Sequence, residues 1–315
     1  MRTASLSGDA SPPRALILGC AGPRLGEEEA AFFRRVDPLG FILFRRNCET
    51  PDQLTALVRD LRASVGRPDA PVMIDQEGGR VQRLRPPRWP AHPPAAHFAD
   101  RPEAEARANA ASIGRMVAAH GISVVAAPVL DLRFEGASDV VGDRSLGRDP
   151  ERVARLGRAW IEGFRDAGVT PIIKHMPGHG RARVDSHLAL PVVDAPLEEL
   201  EREDFAPFRR LADAGAWGLT AHIVFTAIDP DRPATLSPTV IGEIVRGRIG
   251  FGGILLSDDL SMGALSGSIG DRVAGALAAG CDIALHCNGE MAEMIEAAEA
   301  ATPLSEETRH RMGQG

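Results

Sequence analysis

Three histidines, one aspartate and Lys174 fall within fourteen residues, in the segment KHMPGHGRARVDSH from Lys174 to His187. His175 and His179 have the i, i+4 spacing of a zinc-binding helix. Pro177 and Gly178 lie between them, and a Pro followed by a Gly in the intervening turn disfavours that helix. No metal site is therefore expected. The organic alternative is Asp185-Ser186-His187. A carboxylate two residues from an imidazole can orient it and favour its protonated form, as general acid-base work near neutral pH requires. The same D-x-H could equally be a polar stretch of surface.

Two further constellations carry carboxylates. In LLSDDLSMGAL an apolar run delivers Asp258 and Asp259 into a turn, where one Asp can cap the next helix and leave the other for chemistry. Asp258 reads as the chemical group and Asp259 as the structural one. In VMIDQEGGRVQR, Asp75 ends an apolar run and Arg80 and Arg83 follow a Gly pair. Asp and Arg together suit hydrogen bonding to sugar hydroxyls, with a structural ion pair as the alternative. Arg144, in DVVGDRSLGRDP, precedes a helix opening at Asp149-Pro150 and is by itself a weak signal.

The elements that must position these groups follow from periodicity. Short apolar runs at 14–19, 40–44, 71–75, 122–128, 169–174, 217–223, 252–257 and 281–286 read as strands. Longer stretches with helical spacing, near 26–36, 51–65, 102–119, 150–166, 197–214, 238–248, 270–279 and 289–301, alternate with them. Asp75, Lys174, His175, His222, Asp258 and His286 all come at the ends of strand runs, and in (β/α)8 barrels the site is built at the carboxyl ends of the strands. The fold expected is an α/β single (β/α)8 TIM-type barrel over 14–315, preceded by a disordered tail at 1–13. A doubly wound sheet would want a glycine fingerprint after its first strand, which LGCAGPRLG matches only loosely. The Pro-rich segment 86–94 reads as a rigid loop over the barrel rim.

In this order the motifs resemble the bacterial β-N-acetylhexosaminidases of glycoside hydrolase family 3, through K-H-x-P-G-H-G with D-S-H downstream, I-D-Q-E-G-G-R-V-Q-R and S-D-D-L-S-M. The similarity runs from about Leu16 to about Asn288. It implies Asp258 as nucleophile and His187 as acid-base group with Asp185 as its dyad partner. It also implies Asp75, Arg83, Arg144, Lys174 and His175 as binders of the terminal sugar, in a retaining exo-β-N-acetylglucosaminidase acting on cell-wall (muropeptide) fragments in peptidoglycan recycling. Met176, Arg181 and Leu146 depart from the commonest family pattern, which bears on substrate preference. A phosphorylase acting on N-acetylglucosaminides and a non-catalytic muropeptide-binding barrel are the competing readings.

Composition bounds the partners. The 315 residues carry a net charge of −7 with 44% hydrophobic residues, enough for a substantial core and without the basic stripe that tracks phosphates. Nucleic acid is not an expected partner; a small saccharide is. Cys20, Cys48, Cys281 and Cys287 are scattered and read as buried thiols. No cofactor, export signal or membrane span is expected, and the chain reads as a cytoplasmic monomer.

Overall fold

Alternation within each strand separates two apolar environments. In the first strand, β1 (Arg14–Gly19), Ala15 and Ile17 join an inner cluster with Met73, Ile172, Leu219, Leu256 and Ile283. Leu16 and Leu18 join the larger outer cluster that packs against helices. That period of two, with both faces buried, is the pattern of a parallel barrel strand. The computed structural model describes residues 11–184 and 189–313. Within them β1, β2 (Pro38–Leu43), β3 (Val72–Ile74), β4 (Val124–Val125), β5 (Thr170–Met176), β6 (Trp217–Thr220), β7 (Leu255–Asp259) and β8 (Ile283–His286) close into an eight-stranded barrel. Each strand pairs in parallel with its neighbours in sequence, and β8 pairs with β1. This is the single (β/α)8 barrel that the periodicity implies.

Helices α1 (Glu27–Val36), α2 (Pro51–Ser64), α3 (Glu103–Ala118) and α4 (Pro150–Asp166) connect the first five strands. Their starts follow local chemistry. Thr50 and Gln53 form a capping box at α2, with Pro51 in the first turn, and Asp149 caps α4 ahead of Pro150. Helices α3 and α4 pack closely at Gly163, where a Cβ would come within 2.3 Å of the Arg107 carbonyl oxygen. The stretch 197–214 is not one helix but two, α5 (Leu197–Arg202) and α6 (Ala206–Arg210). Pro207 supplies no N–H and its ring would collide with the carbonyl of Glu203 in a continuous helix. The stretch 238–248 is helical from Val240 to Arg248 but wound as a π-helix. Helices α7 (Ile269–Ala279) and α8 (Met291–Ala300) complete the ring, and α9 (Glu306–Gly313) follows.

Two loop expectations need correction. The Pro-rich segment does not stay at the rim: Trp89 is buried, and its indole N–H donates to His120 Nε2, beyond the end of α3, at 2.9 Å. A buried indole needs such an acceptor, and this one draws the loop down the outer wall. Pro13, assigned to the tail, is buried and its carbonyl accepts from Leu304 N. Cys20, Cys281 and Cys287 are buried thiols, whereas Cys48 is only half-buried.

The end of the barrel opposite the site is tied by one carboxylate. Buried Asp282 accepts from Arg246 at 2.6 Å, Arg311 at 2.5 Å, Thr308 Oγ1 at 2.9 Å and Leu255 N at 2.8 Å. It thus joins β7, the π-helical segment and α9. Removing one partner of a buried pair leaves uncompensated charge, so Asp282→Ala should cost about 3 kcal/mol. The check is a lower urea midpoint at unchanged slope.

Candidate active site

The carboxyl ends of the strands surround a cavity of about 210 Å³ lined by Asp75, Glu77, Arg83, Arg144, Lys174, His175, His179 and Asp258, with Val81, Val140, Val141 and Met262. Alternation accounts for part of this lining. Met73 faces the barrel interior, so Asp75 and Glu77, two and four residues on, continue the inward face as the chain leaves β3. In β5, Ile172 faces inward and Lys174 follows it. His175 should then face out, but the register shifts between Lys174 and Met176. This bulge lets two consecutive residues line the cavity and sends Met176 to the outer core.

The polar groups form a connected ion-pair chain. Asp75 accepts from Lys174 Nζ at 2.8 Å and from Arg83 at 2.9 Å. Lys174 Nζ lies 2.7 Å from Glu77, which holds Arg144 through two bonds of 2.8 Å. Burial alone would raise the Glu77 carboxyl, but Arg144 and Lys174 hold it down at about 2. The Asp75 carboxyl is likewise pushed up by burial and brought well below the usual range by Lys174 and Arg83. Lys174 is the only lysine in the sequence. Its compact ammonium fits between two carboxylates where a planar guanidinium would need a different geometry.

A second pair lies beside the first. Asp131, fully buried after β4, accepts from His175 Nδ1 at 2.6 Å and from the main-chain N–H groups of His175 and His179 at 3.2 and 2.7 Å. Nδ1 of His175 therefore carries a proton, leaving Nε2 as the nitrogen not committed to Asp131. Burial and the adjacent His175 push His179 down to about 4. His175 ends a strand and His179 lies in the turn beyond it, so the two do not share a helix.

Asp258 and Asp259 differ in their surroundings. Asp259 spends its carboxylate on Ser261 N, Ser261 Oγ and Cys287 N, at 2.8 to 3.1 Å. Asp258 lines the cavity, and one of its oxygens accepts the Asp259 N–H at 2.9 Å. Burial would raise its carboxyl, but His222, His175, that N–H and Lys174 keep it below the ordinary carboxylate range. It is ionised at neutral pH.

Of the residues singled out from sequence, Asp75, Arg83, Arg144, Lys174, His175 and Asp258 meet around one cavity. Asp185 and His187 lie outside the described residues. His286 ends β8 and His222 lies two residues beyond β6, and neither lines the cavity; His286 pairs with Glu293 at 2.9 Å. Met176 and Leu146 are buried away from it, and Arg181 is engaged with Glu199, Glu203 and Asp204 over the Phe134 ring. None of these three family departures lines the cavity, so any bearing on specificity is indirect. Sequence reasoning missed Glu77 and Asp131. The D-x-E spacing from Asp75 was a usable signal for Glu77. Nothing local marked Asp131.

A closed barrel presenting an ionised carboxylate beside a small cavity of ion-paired donors and acceptors defines a barrel enzyme for a small, hydroxyl-rich ligand. The description "Glycosyl hydrolase family 3 N terminal domain" matches residues 24–312. A β-hexosaminidase of Alkalilimnicola ehrlichii is 44% identical over 282 residues, covering 87% of this chain and 80% of that protein. NagZ of Neisseria gonorrhoeae superposes with a TM-score of 0.86 at 35% identity, covering 96% of this chain and 90% of that one. A family 3 β-N-acetylglucosaminidase from Paenibacillus sp. gives 0.87 at 35% identity, covering 94% of this chain, which spans 59% of that longer protein. The chain belongs to glycoside hydrolase family 3 and is a glycoside hydrolase of the β-hexosaminidase type.

The ion-pair chain has a signed pH consequence. With its folded value at about 2, below the ordinary one near 4.5, Glu77 stabilises the fold fully above about pH 4.5 and loses that contribution as pH falls toward 2. Glu77→Gln should cost about 3 kcal/mol at pH 7 by stranding Arg144 and leaving Lys174 with Asp75 alone. Urea unfolding of both proteins across this range should show the gap narrowing only in acid.

Proposed function

We propose that the protein is a retaining exo-β-N-acetylglucosaminidase that removes terminal N-acetylglucosamine from peptidoglycan fragments in the cytoplasm. The observation that carries this reading is the cavity of about 210 Å³ in which Asp258 faces Asp75, Arg83, Arg144, Lys174 and His175. It is smaller than the roughly 300–1,000 Å³ pockets of drug-sized ligands, in keeping with one sugar ring rather than a stretch of chain. The N. gonorrhoeae NagZ has been solved with N-trifluoroacetyl-D-glucosamine, which supports an N-acylated hexosamine as the ligand.

In this mechanism Asp258 attacks the anomeric carbon while His187, oriented by Asp185, protonates the departing oxygen. His187 then takes a proton from the water that hydrolyses the glycosyl-enzyme. An imidazole in place of a second carboxylate adds no negative charge beside Asp258 and so does not raise the nucleophile's pKa. Arg83, Arg144 and Lys174 donate to the sugar hydroxyls and Asp75 accepts from them. Both sets of groups are already oriented by pairing with one another, which lowers the ordering cost of binding.

A slow fluorinated N-acetylglucosaminide should leave one labelled peptide, with the sugar on Asp258. Mass spectrometry placing it on Asp259, or finding no adduct while turnover persists, would sink the assignment.

The small, charge-lined cavity supports exo action, since a further sugar on the terminal ring would leave buried polar groups unpaired at about 1–3 kcal/mol each. A chito-oligosaccharide labelled at its reducing end should shorten by single residues over time. Early internal fragments would mean an open cleft.

A further inference from the structure

His222 ends the run LTAH after β6, is fully buried, and does not line the cavity, yet its position leads directly to Asp258. Its Nε2 lies 2.9 Å from the main-chain oxygen of Asp259. That oxygen only accepts, so Nε2 carries a proton. Its Nδ1 lies 2.8 Å from Thr235 Oγ1. The same hydroxyl is 3.0 Å from the Ala221 carbonyl oxygen and 2.7 Å from Thr220 Oγ1. Thr220 Oγ1 in turn accepts the Asp258 N–H at 3.1 Å.

Counting protons selects one assignment. A hydroxyl has one proton to give and two lone pairs to receive with. If Thr235 donates to Ala221, the Thr220 hydroxyl and His222 Nδ1 both donate to Thr235, and every contact in the chain is a hydrogen bond. If His222 is neutral, its Nδ1 lone pair needs the Thr235 proton, and the Ala221 contact loses its donor. The contacts among Thr220, Ala221, His222 and Thr235 are all buried, and an unmet acceptor there is costly. The satisfied arrangement has protons on both ring nitrogens.

We propose that His222 is held as an imidazolium beneath the site and acts as a positioning residue that keeps Asp258 ionised and aimed. It does so by anchoring the Asp259 carbonyl, one residue's main chain from the Asp259 N–H that holds an Asp258 oxygen at 2.9 Å, and by placing a positive charge behind that carboxylate. The charged and titratable groups around the arrangement are Asp258 and Asp259 from β7, Lys174 and His175 from β5, and the buried Cys281 thiol just before β8, 3.9 Å from the Thr235 carbonyl oxygen. Of the influences on Asp258, the charge of His222 is the largest that lowers its pKa. The positioning role rests on the reading of Asp258 as nucleophile.

The direct test is NMR of the protein labelled with ¹⁵N-histidine, the His222 signal being assigned from its ring-proton contacts to the Thr235 methyl group and checked with His222→Gln. Both ring nitrogens of His222 should be protonated under the conditions of the activity assay; a neutral ring with an unprotonated Nδ1 overturns the proposal, whether or not any variant folds. Kinetics supply the second arm. In His222→Gln and Thr235→Val, kcat should fall with KM little changed. The acid limb of the kcat/KM profile should move to higher pH in both variants, so the loss grows as pH falls through that limb and is constant above it, because a higher Asp258 pKa removes its ionised form only in acid. A loss uniform across pH, or confined to KM, overturns it. Covalent trapping of the wild-type protein separates the two readings. No adduct on Asp258 sinks the nucleophile assignment and the positioning role with it, whereas a neutral His222 sinks this proposal alone.

Discussion

The rest of the site depends on the pairing of Lys174 with Asp75 and Glu77. A buried ammonium is tolerable only if its charge is met at short range, and these two carboxylates meet it at 2.8 and 2.7 Å. Each carboxylate then recruits a guanidinium, Arg83 on one side and Arg144 on the other. The cavity consequently holds three permanent cations and, with Asp258, three carboxylates. Asp258 is the carboxylate that lacks a cation in direct contact among the described residues, and its negative charge balances the set. An ionised group with unspent hydrogen-bonding capacity in an otherwise paired cavity is where a nucleophile would be found.

The barrel delivers these groups through regularity and through small departures from it. Alternation carries Asp75 and Glu77 inward together, and the bulge in β5 adds His175 to Lys174. A comparable register shift in β7, between Leu256 and Asp259, accompanies the divergence of Asp258 and Asp259. Gln76, between the two inward carboxylates, accepts from the main-chain N–H groups of Arg83 and Leu84 at 2.9 and 3.0 Å. It closes the loop that returns Arg83 to Asp75. Precision at the cavity thus comes from main-chain hydrogen bonds to buried side chains, and the surface charges elsewhere contribute little to it.

The two ends of the barrel use buried charge differently. At the far end Asp282 gathers Arg246, Arg311 and Thr308 and leaves no acceptor free for a ligand, an arrangement that joins elements and does nothing else. At the carboxyl end the paired groups line open space. The same chemistry of charge-assisted hydrogen bonds serves cohesion in one place and recognition in the other, and the difference is whether a cavity adjoins it.

Much of this was legible from residue order alone. Eight apolar runs alternating with helical periods determined a parallel barrel, and polar residues at the ends of those runs marked Asp75, Lys174, His175 and Asp258, because alternation and strand ends are local properties. The D-S-H motif was equally legible, though its residues lie outside those described. Local reasoning failed where distance in the chain and distance in space part company. Asp131 pairs with a histidine 44 positions away and Glu77 with an arginine 67 positions away, and no spacing rule spans such gaps. His222 stood out in sequence as one more strand-end histidine, but its depth, its threonine partners and its approach to the Asp259 peptide exist only once β6 and β7 lie side by side. A side chain's charge state and task depend on what encloses it, and enclosure is a property of the closed barrel, which brings β3, β5 and β7 around one axis.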